Sequence, residues 1–306
     1  MIIPIITGPT SSGKSSIAYN VGLITNKIEV ISADAFQVYK WLNIGTAKIS
    51  LQEREKVTHH LIDIMEPNIP YSAGIFVEQA EKLIEEILLR NKIPVIAGGT
   101  GLYIKSLTDG LFNCPKIDNN IRLELQKELE KDGISSMYNK LVAIDSDYAE
   151  KISNNDPVRI IRALEVYYGL EITFTKAHKI YSKKPKYEYT TGVLWLERNV
   201  LYNNINKRTE EMWESGWPKE VEELLNLGYN KDCAGFRAIG YKIIADYLEN
   251  KIDKERAVYE IAKETRHFAK RQLTWFRNKE NVVLYNDKNK LENNLIELIN
   301  GERSVL

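Results

Sequence analysis

Residues 2–18 read IIPIITGPTSSGKSSIA, and the way this stretch divides decides the fold. Ile2 to Ile6 is an apolar run of strand length. It breaks at Gly8-Pro9, and a helical pattern begins near Lys14. Inside the turn, Gly8, Gly13, Lys14 and Ser15 satisfy the G-x4-G-K-[ST] pattern of a phosphate-binding loop. Small residues let backbone N–H groups converge on an anion, and the following helix aims its positive end at the same charge. Lys14 would reach the outer phosphate and the Ser15 hydroxyl would hold Mg²⁺. The loop itself, Gly8, Pro9, Thr10, Ser11, Ser12, Gly13, Lys14 and Ser15, is therefore the candidate phosphate site. It leaves open whether the phosphate is transferred, hydrolysed or released.

The chain around this loop has 306 residues, the length of one large domain or of a domain carrying a smaller one. Lys and Arg (42) balance Asp and Glu (42), which argues against a generally basic nucleic-acid binder without excluding local patches. Two widely separated cysteines, Cys114 and Cys233, fit a reducing, cytoplasmic setting without disulfides or a zinc site. The N-terminus opens on the first strand and lacks the parts of a signal peptide, and no apolar run is long enough to span a membrane.

Ile28 to Ile31 reads as a second strand, ending in Ser32-Ala33-Asp34. A carboxylate at the carboxyl end of a strand beside a phosphate loop sits where α/β sheets place ligands. Asp34 could hold Mg²⁺ through water, take a proton from a nucleophile, or cap the next turn. Asn43 to Lys48 is a polar loop. His59 and His60 open another short strand, where adjacent side chains point to opposite faces and cannot easily share a metal. A helix from Ser72 carries Phe76, Ala80, Ile84 and Ile87 on one face. Ile93 to Ala97 is apolar throughout, as in a strand covered on both sides. It delivers Gly98-Gly99-Thr100-Gly101, where backbone can approach a ligand closely and the Thr100 hydroxyl is available. Three strand-end loops thus converge on one cleft of a parallel sheet with right-handed crossovers.

From about Ile117 the composition turns helical and charged. Residues 1–116 and 191–306 are expected to form the catalytic core, and 117–190 a helical insertion. Within the insertion, Asp156-Pro157 is a good helix start, leading into Val158, Arg159, Ile160, Ile161 and Arg162, with the arginines on one face. Lys176 to Lys186 reads as a mobile loop. Thr191 to Leu196 returns to the sheet, helices follow, and the last strong helix spans about Lys254 to Phe276. Its end interleaves Arg266, Lys270, Arg271 and Arg277 with His267, Phe268, Trp275 and Phe276. That is either a footprint for a phosphate backbone or an amphipathic helix whose aromatics face the core.

Taken together, GPTSSGKS (8–15), SADAFQVY (32–39), NIGTAK (43–48), GGTGLY (98–103), DPVRIIRALEV (156–166), RAIGY (237–241) and AKRQLTWFR (269–277) resemble the tRNA dimethylallyltransferases over nearly the whole chain. The resemblance implies an α/β fold with a P-loop NTPase-like parallel sheet flanked by helices, plus a small helical insertion domain. It implies transfer of a dimethylallyl group from its diphosphate to the N6 amine of the adenosine 3′-adjacent to the tRNA anticodon, with Mg²⁺ as cofactor. Asp34 would take the amine proton. Lys14, the loop amides and the metal on Ser15 would meet the charge of the leaving diphosphate, with Arg208 beside it and Thr100 on the reacting groups. Asp34, Ala35, Phe36, Gln37 and Thr100 would face the target nucleotide. Arg122, the 158–162 run, Arg237, Lys270, Arg271 and Gln272 would hold the tRNA, whose base must leave its stack.

Two departures stand out. Ala35-Phe36 replaces the family's usual Ser-Arg, which loses a cation near the target base and offers Phe36 for stacking. His267-Phe268 replaces Gln-Leu. The chain carries no cysteine–histidine finger of the eukaryotic relatives, so a bacterial type is implied, and no feature demands more than a monomer. Competing readings are a P-loop kinase of a nucleoside or small molecule, a prenyltransferase for free adenine nucleotides, and a nucleotide-gated binding module. The kinase would leave the basic-aromatic helix without a task, and the N-K-x-D base-recognition motif expected of the third is absent.

Overall fold

The computed structural model describes residues 2–277, 279 and 281–306. The chain opens on strand β1 (Ile2–Thr7), whose Ile3, Ile5, Ile6 and Thr7 are buried. Helix α1 (Lys14–Thr25) follows the phosphate loop, then β2 (Ile28–Ser32), α2 (Leu51–Lys56), β3 (His59–His60), α3 (Ala73–Leu89), β4 (Ile93–Gly98) and α4 (Gly101–Thr108). After an inserted segment the chain returns as β7 (Glu188–Leu194), α9 (Arg198–Glu214), α10 (Trp217–Asn226), a 3₁₀ turn at Ala234–Arg237, α11 (Tyr241–Leu248), α12 (Lys254–Arg277), β8 (Val282–Tyr285) and α13 (Lys288–Asn300). The inserted segment holds β5 (Leu111–Phe112), α5 (Asn119–Ile144), α6 (Ser146–Ala149), α7 (Pro157–Leu170), α8 (Phe174–Tyr181) and β6 (Ser182–Lys183).

Six strands form one parallel sheet in the order β3-β2-β4-β1-β7-β8. Pairing of β1 with β4 begins at Ile5, just after Pro4, which has no N–H to give. On one side, α1 and α13 pack together. Ile17 and Val21 of α1 and Leu291 and Leu295 of α13 join Ile6, Val30 and Val95 in a buried cluster. Ala18 and Gly22 complete the buried face of α1, while Ile24 is exposed. A second cluster gathers Val38, Leu42, Trp213, Trp217, Phe236, Tyr241 and Ile261 beneath α9 to α12. It fixes those helices relative to the loop after β2. The expected elements end with the basic helix; β8 and α13 complete the sheet and its cover beyond it.

The chain divides into two compact units, Met1–Thr108 with Lys186–Leu306, and Asp109–Pro185. The second begins at Asp109 rather than 117 because β5 pairs with β6 inside it. It ends at Pro185 rather than 190 because β7 has already joined β1 at Glu188. Its core is made by Leu125, Met137, Leu141, Ile160, Ile161, Leu164 and Phe174. Gly133 (φ 76°) interrupts α5 with a non-helical backbone. Asp156 caps α7 by accepting from Arg159 N, with Pro157 in the first turn. The lysine-rich stretch expected as a loop is instead α8 and β6. Thr173 caps that helix, and Phe174 and Ala177 are buried, an apolar spacing that the surrounding lysines mask.

Candidate active site

The phosphate loop lies at the carboxyl end of β1, and its backbone turns into α1 through Gly13 in a left-handed conformation (φ 96°). Two helices far along the chain brace it. Arg208 of α9 donates from Nη1 to Thr10 Oγ1 (3.4 Å) and Ser11 Oγ (3.3 Å), and Asn204 Nδ2 donates to Ser11 O (3.4 Å). From α12, the Gln272 side chain accepts from Thr10 N at 2.8 Å and donates to Gly99 O at 2.8 Å. Gln272, expected among the tRNA-holding residues, is only 6% exposed. Its amide joins the phosphate loop to the Gly-Gly-Thr turn and has no surface to offer a polynucleotide.

Asp34 follows β2 directly. Its Oδ1 accepts from Phe36 N (2.9 Å) and Gln37 N (3.2 Å), so it does close the turn, as the capping alternative held. Its Oδ2 accepts no hydrogen bond among the described residues, which leaves that oxygen for a proton. The loop is tied on its other side by Thr100, whose Oγ1 accepts from Ala35 N (3.0 Å) and whose N–H donates to Ala33 O (3.2 Å). Gly98 makes this approach possible, since a Cβ there would sit 2.2 Å from Ala33 O. Gln37 is held by its surroundings. Its Nε2 donates to Thr46 O and Ala47 O, and Ser32 Oγ donates to its Oε1.

These loops enclose two adjoining cavities. The inner one, about 60 Å³, is lined by Thr10, Lys14, Ser15, Asp34, Gln37, Thr46 and Arg208, among others. The outer one, about 300 Å³, shares Thr10, Asp34, Thr46 and Arg208 with it. It adds an apolar wall of Phe36, Ile205, Met212, Ile239, Ile261 and Phe268, with Arg237 and Arg271 also in its lining. The sequence alone pointed to Phe36 and Phe268 in this wall but not to Ile205, Met212 and Ile261, which are ordinary apolar helix positions in α9 and α12 that no motif marks.

The inner cavity is short of negative charge. Burial pushes the Lys14 ammonium down to about 8, against the pull of Asp34, and the nearby Arg208 cation adds to the depression. Lys14 Nζ meanwhile bends back to Pro9 O at 3.2 Å. Burial likewise lowers the Arg208 guanidinium, with Asp34 and Glu211 opposing. Two half-buried cations with one carboxylate nearby form a ready receptor for an anion. Ser15 and Asp34 line the same cavity. One hydroxyl plus a nearby carboxylate suits Mg²⁺, which keeps waters and takes its remaining ligands from substrate phosphates. His59 and His60 each turn to a partner of their own. His59 Nδ1 lies 2.7 Å from Val57 O and His60 Nε2 2.7 Å from Glu29 Oε2, the structural roles their opposite directions suggest.

The basic-aromatic end of α12 divides between its two readings. Phe276 is buried in the core, and Phe268 turns into the outer cavity. Lys270, Arg271, His267 and Trp275, with Lys105 and Lys279, line an open groove of about 650 Å³. In the helical unit, Val158 and Arg159 are exposed and Arg162 is partly so, but Ile160 and Ile161 are core residues and cannot touch a ligand. Arg122 and Arg162 both pair with Glu165, at 3.6 and 2.9 Å.

A parallel sheet with a glycine-rich phosphate loop at its carboxyl edge and a cationic cavity behind it defines a P-loop NTPase-like protein. Residues 37–279 match the family model described as IPP transferase, and the chain belongs to that family. It is 43% identical to the tRNA dimethylallyltransferase of Carboxydothermus hydrogenoformans over 98% of this chain and 97% of the relative. It is 41% identical to that of Thermotoga neapolitana over the full length of both. Among solved structures, the tRNA isopentenylpyrophosphate transferase of Bacillus halodurans superposes with a TM-score of 0.71 at 36% identity, over 98% of this chain and 96% of that one. A eukaryotic dimethylallyltransferase acting on tRNA gives 0.79 at 25% identity, over 98% and 79%.

Proposed function

We propose that this chain transfers a dimethylallyl group from dimethylallyl diphosphate to the N6 amine of the adenosine 3′-adjacent to the anticodon of a tRNA, releasing diphosphate. The observation that carries the reading is the pair of adjoining cavities. One is small, cationic and built on the phosphate loop; the other is larger and mainly walled by hydrocarbon. A short prenyl chain on a diphosphate has these two ends, whereas a phosphoryl donor would place a second polar acceptor beyond the phosphates.

In the reaction, the adenosine nitrogen attacks the first carbon of the prenyl chain and the carbon–oxygen bond to the diphosphate breaks, its electron pair leaving with the diphosphate. The nitrogen loses a proton, and Asp34 Oδ2 accepts it. An aromatic amine is a weak nucleophile, so a placed base contributes about 10²–10⁴-fold. Lys14, Arg208 and the loop amides take up the charge that builds on the departing oxygens. Mg²⁺ bound at Ser15 would add charge neutralisation on the same diphosphate. Thr100 orients the Asp34 loop through Ala35 N. Phe36, on the wall of the outer cavity, offers the incoming base a face to stack on. Arg237, Lys270 and Arg271, with Arg122, Val158, Arg159 and Arg162 of the helical unit, hold the tRNA backbone; no helix among the described residues is long and apolar enough to cross a membrane.

Labelled dimethylallyl diphosphate incubated with unmodified tRNA or with AMP tests the assignment. Label should appear on tRNA. Label on AMP with none on tRNA would replace this reading by a free-nucleotide prenyltransferase.

A further inference from the structure

Glu220, in the first turn of α10, is a carboxylate with 9% exposure and no part in the chemistry above. Its Oε2 accepts from the backbone N–H of Asn43 (2.8 Å) and of Ile44 (2.7 Å). Its Oε1 accepts from Gly45 N (3.2 Å) and from the hydroxyl of Tyr241 (2.7 Å). Three consecutive amides and a phenol thus converge on one side chain from a distant helix. Successive N–H groups turned to one point make an anion-binding concavity, and here the protein fills it with its own carboxylate. The fit is tight: a Cβ on Gly45 would lie 2.3 Å from Trp217 Nε1 and 2.6 Å from Tyr241 Cε2. The far end of the same loop is held separately, by Lys48 bonded to Asp63, to Asn43 Oδ1 and to Tyr39 O.

What this loop carries matters for the reaction. Gly45 and Thr46 line the outer cavity, and Thr46 and Ala47 the inner one. The carbonyls of Thr46 and Ala47 receive the Gln37 amide, and the Gln37 N–H donates to Asp34 Oδ1. A connected path therefore runs from Glu220 through amides 43–45 and carbonyls 46–47 to Gln37 and the turn that presents Asp34. We propose that Glu220 is a positioning residue for prenyl transfer, holding the 43–48 loop so that Gln37 and Asp34 face the reacting groups. This role rests on the transfer reading above. Glu220 touches neither the phosphate loop nor either phosphate-facing cation, so its effect falls on the acceptor side of the site. Burial, and then the Glu220 charge, raise Tyr241 well above the ordinary phenol range, which keeps that hydroxyl a donor.

The test compares wild type, Glu220→Gln and Tyr241→Phe by amide hydrogen exchange over residues 43–48 and by steady-state transfer to tRNA. In Glu220→Gln an NH₂ replaces one acceptor oxygen and faces an N–H. Amides 43–45 should exchange about tenfold faster, and kcat should fall about tenfold or more while KM for dimethylallyl diphosphate stays within about twofold. Unchanged kcat, or kcat and KM shifting together in step with a lost fraction of folded enzyme, would overturn the role. If Glu220→Gln does not fold, Tyr241→Phe decides. It removes one donor of four, and an unchanged kcat there rejects the proposal, while a fall of about threefold with faster exchange at Gly45 supports it. Wild-type enzyme that fails to prenylate tRNA would remove the transfer reading and this role with it. The exchange rates at 43–45 separate that failure from one in which Glu220 does not hold the loop.

Discussion

Asp34 carries two duties on two oxygens. Oδ1 accepts from Phe36 N and Gln37 N and fixes the turn, while Oδ2 has no hydrogen-bond partner among the described residues and Asp34 lines the inner cavity. Asp34→Asn keeps the turn acceptor and removes the base. Turnover should drop about 10²–10⁴-fold, with tRNA affinity in a filter-binding assay close to wild type. Parallel loss of both would make the residue purely structural. Lys14 makes a different prediction. With its ammonium at about 8, against 10.5 in an unfolded chain, Lys14 holds its proton less tightly than a lysine in water. A bound diphosphate supplies the missing anion and raises that value. Dimethylallyl diphosphate should therefore take up protons on binding near pH 8, and its affinity should weaken by up to about tenfold per pH unit above that. Calorimetry in buffers of different ionisation heat measures the uptake; Lys14→Met should abolish it. For the unliganded fold the sign is the reverse: the depressed value costs stability below pH 8, a cost that fades as pH rises toward 10.5.

At the scale of elements, α12 serves both sides of the site. Its inner face sends Gln272 to the phosphate loop and Phe268 to the cavity wall, and its outer face carries Lys270 and Arg271. Replacing Lys270 and Arg271 together by Ala should weaken tRNA binding and lower the slope of log affinity against log salt by about 1.4, at 0.7 for each phosphate contact on a single strand. An unchanged slope would remove this helix from the tRNA surface. Strand β2 offers an acid test. Burial opposes ionisation of Glu29, yet hydrogen bonds from Arg90 and His60 hold its carboxyl below the ordinary range. The stability this lowering contributes is present above the unfolded value of 4.5 and is lost as pH falls through the folded one. Glu29→Gln should flatten the acid limb of thermal stability against pH. The local signals for such elements were legible. Asp156-Pro157 starts a helix, and Ser72 caps another by accepting from Ile75 N. The helix at 174–181 was hidden because it runs straight into the lysine-rich stretch that ends near Pro185, and β8 because four residues at a sheet edge make too short a pattern.

Over the whole molecule, where Arg208 was pointed to by the family resemblance alone, the amino-acid sequence itself carried the parallel α/β core, the order of the strand-end loops, and Lys14, Ser15, Asp34 and Thr100 as candidates for the site. Each of these follows from short-range rules: a strand that breaks into a glycine turn, a carboxylate where a strand ends, a motif with fixed spacing. Tertiary structure alone decided which distant groups brace those loops. Gln272 meets Thr10 across 262 positions of sequence, and Glu220 meets Asn43 across 177. The same holds for the apolar outer cavity, made by α9 and α12 folding over the phosphate loop, and for the burial of Ile160 and Ile161 between helices of their own unit. A side chain's chemical type is written in the chain. Its partner across space depends on how elements pack, and a lone glutamate or glutamine on a helix bears no local mark of the backbone groups it will satisfy.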